Sequence, residues 1–208
     1  MEDRLLPMLA GFGLSGALLA RSAFTRQRLR RQLEGFEEAL RAYAVTHALK
    51  LIPASLGWDP RSPHEGHPPA IAADQHGLAL DVSLEIHGSG ARTRVAADLP
   101  GVPADFLLII HPRSSLTRLR ARLRGVTEAR TGNKVFERRF ALLSNDADQA
   151  RSLLDRRLAQ VLGNFPRAFQ EIAVEKNRFS LRWAGAEQSP AVLDAALHLV
   201  WTGCRRRA

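Results

Sequence analysis

The residues best suited to chemistry lie in a basic stretch between Pro112 and Phe140. Nine Lys or Arg side chains accompany two Glu side chains there: Arg113, Arg118, Arg120, Arg122, Arg124, Arg130, Lys134, Arg138 and Arg139 beside Glu128 and Glu137. A guanidinium group binds phosphate oxygens through paired N–H donors, so the stretch suits nucleic acid or anionic lipid headgroups. The candidate anion-contacting residues are Arg113, Arg118, Arg120, Arg122 and Arg124. A solvated basic face is the plainer alternative, and the lack of interleaved aromatic residues argues against nucleic acid.

Other motifs that could carry chemistry lack the context they need. Gly11–Gly16 matches GxGxxG, but a dinucleotide site requires a strand before the motif and a helix after it. His64 and His67 lie in a proline-rich segment, and a metal site needs three or four convergent ligands. Cys204 has no placed histidine partner. We therefore predict no catalytic residue, no cofactor and no metal site, and expect the chain not to be an enzyme.

Composition sets the class of the protein. The chain has 208 residues, of which 45% are hydrophobic, so it can bury a substantial core. It carries a net charge of +9 and a single cysteine, which excludes an intramolecular disulfide. Only Lys50, Lys134 and Lys176 are lysines, so arginine supplies nearly all of the positive charge. The abundance of alanine and leucine beside arginine favours a GC-rich genome over phosphate recognition as the explanation of this bias.

The segment Leu5–Ala20 contains sixteen residues without a charge. As a helix it would extend about 24 Å, slightly less than the ~30 Å hydrocarbon core, and continuation to Phe24 would close the gap. Five arginines follow it between residues 21 and 31, which predicts that the remainder stays in the cytoplasm. A helix docked on the domain or on a partner explains the segment nearly as well. A cleaved signal peptide is disfavoured, because the start is not basic.

Hydrophobic periodicity predicts the elements of the first half of the chain. Apolar residues alternate in steps of three and four between residues 22 and 48, which indicates an amphipathic helix. A proline-rich loop follows at Pro53–Pro69. Strict alternation then predicts a hairpin over residues 78–99, with its turn at Gly88–Gly90. The apolar run Asp105–His111 predicts a central strand that Pro112 ends.

The second half mixes helices with a further hairpin. We predict a short helix at Ser114–Arg124, a strand at Val135–Leu143, and a helix capped by Asn145 or Asp146 that ends before Pro166. A hairpin at Glu171–Ala184 and a helix from Ser189 complete the chain. These elements predict an α+β fold, an antiparallel sheet built from hairpins with helices mainly on one face. Residues 1–24 form the apolar segment, and residues 25–208 form a single domain.

Three short patterns suggest a relationship to known sequences. They are Thr131–Phe140 (TGNKVFERRF), then Ser144-Asn145-Asp146, then Ala150–Leu154 (ARSLL). The chain here resembles a group of bacterial proteins of unknown function with the pattern TGD-x-x-FDRRF followed by SDD and ARxLL. Members of that group often carry hydrophobic segments near the domain, which implies an anchor at Leu5–Ala20. The resemblance implies no activity, and Asn133 and Glu137 depart from its usual residues.

Together these features predict a non-enzymatic domain at the cytoplasmic face of the inner membrane. It would be attached through Leu5–Ala20 and would act through contacts with a protein partner that the sequence does not identify. The alternative is a soluble domain that binds nucleic acid or another polyanion through Arg113–Arg139.

Overall fold

The computed structural model describes residues 27, 30–55, 58, 67–75, 78–87, 90–114 and 116–205. The predicted apolar segment Leu5–Ala20 and the Gly88-Ser89 turn lie outside these residues. Most of the predicted proline-rich loop also lies outside them.

A single antiparallel sheet organises the described part of the chain, where nine strands follow the order β1-β2-β3-β4-β9-β8-β5-β7-β6. The strands are β1 (Lys50–Ile52), β2 (Ala70–Gln75), β3 (Leu78–His87), β4 (Gly90–Asp98), β5 (Leu108–Pro112), β6 (Thr127–Ala129), β7 (Phe140–Ser144), β8 (Phe169–Glu175) and β9 (Arg178–Ala184). The β3–β4 and β8–β9 hairpins lie side by side at the centre because β4 pairs with β9.

Six helices accompany the sheet among the described residues. They are α1 (residues 30–46), α2 (Thr117–Leu123), α3 (Lys134–Arg139), α4 (Ala147–Leu153), α5 (Arg156–Gly163) and α6 (Pro190–Cys204). All of them except α2 contribute buried side chains to the main core on one face of the sheet. Ala121 of α2 instead packs on a small cluster of Ile109, Val126 and Leu143 on the other face. The predicted α+β class with helices mainly on one face is therefore confirmed.

The apolar stripes of α1 and α6 pack into the main core. Leu33, Phe36 and Leu40 of α1 are fully buried, as is Leu193 of α6. Each such side chain contributes roughly 1.5–3 kcal/mol when it leaves water. Trp183 of β9 lies beneath the start of α6 and is 1% exposed. The helices predicted at residues 22–48 and from Ser189 are thus confirmed where the structure describes them.

The β8–β9 hairpin turns as its sequence predicts. Lys176 and Asn177 have φ angles of 52° and 58°. Two consecutive left-handed residues form the turn that matches the twist of paired strands, and asparagine tolerates this conformation well. The predicted hairpins at residues 78–99 and Glu171–Ala184 are both confirmed. The strand predicted at Asp105–His111 lies in the interior of the sheet between β8 and β7, but it begins at Leu108 and includes Pro112.

The strand predicted at Val135–Leu143 is wrong in its first half. Residues 134–139 form α3, and β7 begins only at Phe140. The side chain of Asn133 accepts hydrogen bonds from the N–H groups of Val135 and Phe136 and so begins a helical turn. The Glu137 carboxylate reaches back to the N–H groups of Thr131 and Gly132 and the Thr131 hydroxyl. These local hydrogen bonds outweigh the alternating pattern.

The helix predicted after Asn145 is divided into two. Asp146 caps α4 as predicted, but Asp155 caps a second helix, α5, by accepting a hydrogen bond from the N–H group of Leu158. Asn145, after β7, instead bonds the segment before β5. Its side chain accepts a hydrogen bond from the N–H group of Leu107 and donates one to the carbonyl of Asp105. Sequence patterns also missed β1, β2 and β6, which are short or contain mostly alanine and charged residues.

One buried carboxylate ties the central strands to the start of α6. Glu187 is 4% exposed and accepts hydrogen bonds from the Trp183 indole at 3.0 Å and the Arg167 guanidinium at 3.1 Å. It also accepts the N–H group of Ser189, while its own N–H group donates to Thr93 at 2.9 Å. Burial alone would raise the pKa of Glu187. The hydrogen-bond donors outweigh that effect, so the pKa of Glu187 lies below its usual value. Sequence patterns gave no sign of this junction.

Two helical glycines differ in the space beside them. A Cβ on Gly203 would lie 2.8 Å from the buried ring of Phe179, whereas a Cβ on Gly163 would meet nothing within 4 Å. We expect Gly203→Ala to lower the free energy of unfolding by about 1–3 kcal/mol through overpacking. Gly163→Ala should change it by no more than about 1 kcal/mol, in the stabilising direction. Urea denaturation measures both, and equal effects would contradict this packing.

Replacing the carboxylate of Glu187 tests the junction through its pH dependence. We expect Glu187→Gln to cost about 2 kcal/mol at pH 7, since bonds to a charged acceptor are lost. Because the pKa of Glu187 is lower in the folded protein than in the unfolded one, its carboxylate stabilises the fold, fully above the unfolded pKa of about 4.3. That stabilisation is lost as the pH falls through the lower pKa of the folded protein. The difference between the two proteins should therefore shrink on acidification.

The control for this pH series is Glu38→Gln on the exposed side of α1, which should change stability by less than about 0.5 kcal/mol at each pH. A pH-independent difference between Glu187→Gln and the natural chain would show that the variant only disturbs packing.

Candidate functional site

The sheet face opposite the main core carries charged side chains. Strand alternation places Asp81 and Glu85 of β3, Arg94 of β4 and Arg182 of β9 on this open face. Arg94 and Arg182 are register partners, so two like charges lie directly opposite each other. Such a pair is destabilising unless carboxylates flank it. The open face supplies those carboxylates from β3 and β8.

Seven ion pairs join eight residues into one continuous charge chain. In order, it runs through Asp98, Arg178, Asp81, Arg94, Glu85, Arg182, Glu171 and Arg124. Acidic and basic residues alternate throughout, so the charge chain has no net charge. Its last pair, between Arg124 and Glu171 at 3.2 Å, connects the residue after α2 to the sheet.

The charge chain orders the open face more than it stabilises the fold. Its arginines and carboxylates keep between 20% and 62% of their side-chain surface exposed, and exposed pairs contribute at most about 1 kcal/mol each. Burial lowers the pKa of Arg94, and neighbouring Asp81 opposes that shift. Each arginine at the centre is held by two carboxylates, which leaves little capacity for an added anion.

An open groove of about 1060 Å³ separates α2 from the central strands. Its floor includes Ile109, Leu143 and Phe169, and charged residues of the charge chain line its rim. His111 also lines it and is 2% exposed. The Nδ1 of this residue donates to the carbonyl of Pro112 at 2.8 Å, whereas its Nε2 has no hydrogen-bond partner among the described residues. The groove therefore combines an apolar floor with one buried acceptor.

The structure describes the side chains of three of the five predicted anion-contacting arginines. Arg113 donates to the Glu137 carbonyl and pairs with Glu128, while Arg124 belongs to the charge chain. Arg122 is exposed on α2. The side chains of Arg118 and Arg120 lie outside what the structure describes. Of the three described residues, two are therefore already engaged by carboxylates, which weakens the prediction of a shared phosphate site.

The most exposed apolar side chains near the groove belong to α2 and the residue before it. Leu116 and Leu119 are each 53% exposed, and Leu123 is 77% exposed. Their spacing of three and four residues places them along one side of the helix. The sequence predicted this helix correctly, but periodicity could not reveal that its stripe faces solvent. We call Leu116, Leu119 and Leu123 the leucine stripe.

A second polar cluster joins α1 to α6. The Tyr43 hydroxyl donates to Asp194 at 2.5 Å, and the Nε2 of His47 lies 3.7 Å from the same carboxylate. Burial and this carboxylate raise the pKa of Tyr43, so its hydroxyl stays protonated and remains a donor. The cluster binds two helices together and presents no activated nucleophile.

The described residues contain no cluster of three or more His, Cys, Asp or Glu side chains placed to hold a metal ion. They also contain no helix that is long and apolar enough to span a membrane, and Leu5–Ala20 lies outside them. Cys204 is fully buried, and burial raises the pKa of its thiol to about 12, so it is not a reactive nucleophile.

Comparison with known proteins identifies a similar fold. No family model matches the chain, and no curated protein matches its sequence. Among solved structures, the chain is similar to the mycobacterial trehalose monomycolate transport factor A, TtfA, with a TM-score of 0.54 and 16% sequence identity. The similarity covers 81% of this chain and 92% of that one. At this identity the comparison shows a shared fold, and the fold is α+β.

Proposed function

We propose that this chain is a non-enzymatic accessory domain at the cytoplasmic face of the inner membrane. Leu5–Ala20 would attach it there, and the leucine stripe beside the groove would contact a protein partner. The exposed leucine stripe is the observation that carries this proposal. Apolar side chains grouped on a surface mark contact sites more often than isolated ones do.

The chemistry around the leucine stripe defines the kind of partner. Arg122 is exposed near it, and the stretch from Pro112 to Phe140 has a strong excess of positive charge. A complementary partner surface would therefore combine apolar side chains with acidic ones.

The structural neighbour supports an accessory role. TtfA is a transport factor by its description, and it shares the fold of this chain. We propose an accessory role beside a transport assembly on this basis, with the cargo unassigned. The polyanion alternative has less support, because carboxylates already engage Arg113 and Arg124.

Membrane attachment through Leu5–Ala20 is tested by flotation of the full chain with vesicles. We expect it to float and Leu14→Arg to float about tenfold less, because a charge at the centre of a membrane helix costs roughly 2.5–3.5 kcal/mol. Leu14→Phe is the apolar control and should float as the natural chain does. If Leu14→Arg floats normally, or if neither protein floats, attachment through this segment is wrong.

The leucine stripe is tested with a photo-crosslinking residue at position 119 and, as control, at position 45. Val45 is 78% exposed but lies on α1, across the sheet from α2. We expect one protein to crosslink from position 119 and not from position 45. That protein, once purified, should bind Leu119→Asp or Leu123→Asp at least tenfold more weakly than the natural chain.

Stability provides the control for the leucine variants. These side chains are exposed, so both aspartate variants should unfold within about 0.5 kcal/mol of the natural chain, as should Val45→Asp. The contact role is refuted if the purified partner binds the variants unchanged. It is also refuted if Val45→Asp weakens binding as much as Leu119→Asp, or if tight, salt-sensitive binding of DNA accounts for the contact.

A further inference from the structure

The two ends of the sheet differ in charge, and the strand register defines them. At one end β3 finishes, β4 and β8 begin, and β5 finishes beside the start of β7. Exposed basic residues gather at this end, which we call the basic end, and they include Arg92, Arg113, Arg130, Lys134, Arg138, Arg139 and Arg167. Most of them belong to α3 and its flanking loops, because α3 connects the end of β6 to the start of β7. Glu85, opposite Arg92, is engaged in the charge chain.

The carboxylates at the basic end are already engaged. Glu128 pairs with Arg113, and Glu187 is buried against Arg167. Glu137 accepts hydrogen bonds from the loop before α3. Lys134 and Arg138 have no ion-pair partner among the described residues. The basic end therefore presents positive charge that no carboxylate among the described residues pairs with.

The opposite end of the sheet is close to neutral. Its described acidic residues include Asp74, Asp98, Asp105, Asp146, Asp148 and Glu175. Its described basic residues include Lys50, Arg151, Lys176, Arg178 and Arg205, which follows α6. The charge asymmetry thus runs along the strands rather than across the two faces.

The chain enters the domain at the basic end. The Gln188 side chain, just before α6, lies 3.5 Å from the carbonyl of Gln32 in the first turn of α1. Gln188 follows Glu187, which is bonded to Thr93 and Trp183 where the strands meet this end. Nine residues separate Ala20 from Arg30. They can reach about 15 Å as a helix and no more than about 35 Å when extended.

From this placement we propose that the basic end lies against anionic lipid headgroups of the cytoplasmic leaflet. This orientation rests on the proposed attachment through Leu5–Ala20. The short connection keeps the basic end near the membrane surface, where basic side chains within a Debye length, about 8 Å, are attracted to anionic lipids. Val135 is 71% exposed on α3 between Lys134 and Arg138, so it supplies an apolar contact at the same place.

The test places a fluorescent label at either end of the full chain. Cys204 is fully buried with a raised thiol pKa, so Val135→Cys and Asp148→Cys can be labelled without removing it. Asp148 lies at the opposite end, and its side chain is 90% exposed. Each labelled chain is bound to phosphatidylcholine vesicles with or without 30% phosphatidylglycerol, both containing a headgroup quencher.

With phosphatidylglycerol at low salt, we expect quenching at position 135 to exceed that at position 148 at least threefold. Without phosphatidylglycerol, or at high salt, this difference should disappear. Lys134→Glu with Arg138→Glu should reduce quenching at position 135 to the level of position 148. Lys50→Glu with Lys176→Glu makes the same charge change at the opposite end and should leave it unchanged.

Flotation of the same samples separates this proposal from the attachment itself. Suppose that the chain floats but position 135 is quenched no more than position 148, or is quenched to the same extent with and without phosphatidylglycerol. The proposed orientation is then wrong while attachment stands. If the chain floats only with phosphatidylglycerol and position 135 is quenched, the basic end binds lipid without an anchor. If the chain floats on neither vesicle, both proposals are wrong.

Discussion

The fold depends on a buried carboxylate that four segments share. The carboxylate of Glu187 accepts hydrogen bonds from the Trp183 indole and the Arg167 guanidinium, and the backbone N–H group of Glu187 donates to the Thr93 hydroxyl. A buried charge is costly unless donors surround it, and here β9, the segment before β8 and the backbone just before α6 provide them. Thr93 of β4 joins the junction by accepting the N–H group of Glu187. The constraint therefore places α6, and α1 packed beside it, on one face. The other face of the sheet is left for charged residues and α2.

Arginine has a structural role on that open face which composition alone does not reveal. Arg94 and Arg182 are register partners, and each lies between two carboxylates from neighbouring strands. A planar guanidinium with several N–H donors can bond two carboxylates at once, which a lysine ammonium does less well. Part of the arginine excess therefore maintains a sheet face in water. The unneutralised charge lies elsewhere, at the basic end.

Local sequence predicted those elements whose signal is local. The alternation in β3 and the two turn residues at Lys176-Asn177 predicted their hairpins, and Pro190 marked the start of α6. The prediction failed where a side chain's partner is a nearby backbone group, as with Asn133 before α3. It also failed where the partner is distant, as with Glu171 and Arg124 or Glu187 and Thr93. Composition located the basic stretch, but it could not show which arginines already have carboxylate partners.

The pattern from Thr131 to Phe140 shows how fold and surface share one short segment. An aspartate, usual in the bacterial group this pattern resembles, would cap α3 as Asn133 does, since either side chain accepts the same two N–H groups. Glu137 orders the preceding loop, and Arg139 donates to the carbonyl of Gly163 and lies over Phe140. Arg138 makes none of these contacts. Lys134 stands at one of the variable positions of that pattern, and neither Lys134 nor Arg138 has an ion-pair partner among the described residues. Their charge is therefore available for an interaction outside the domain.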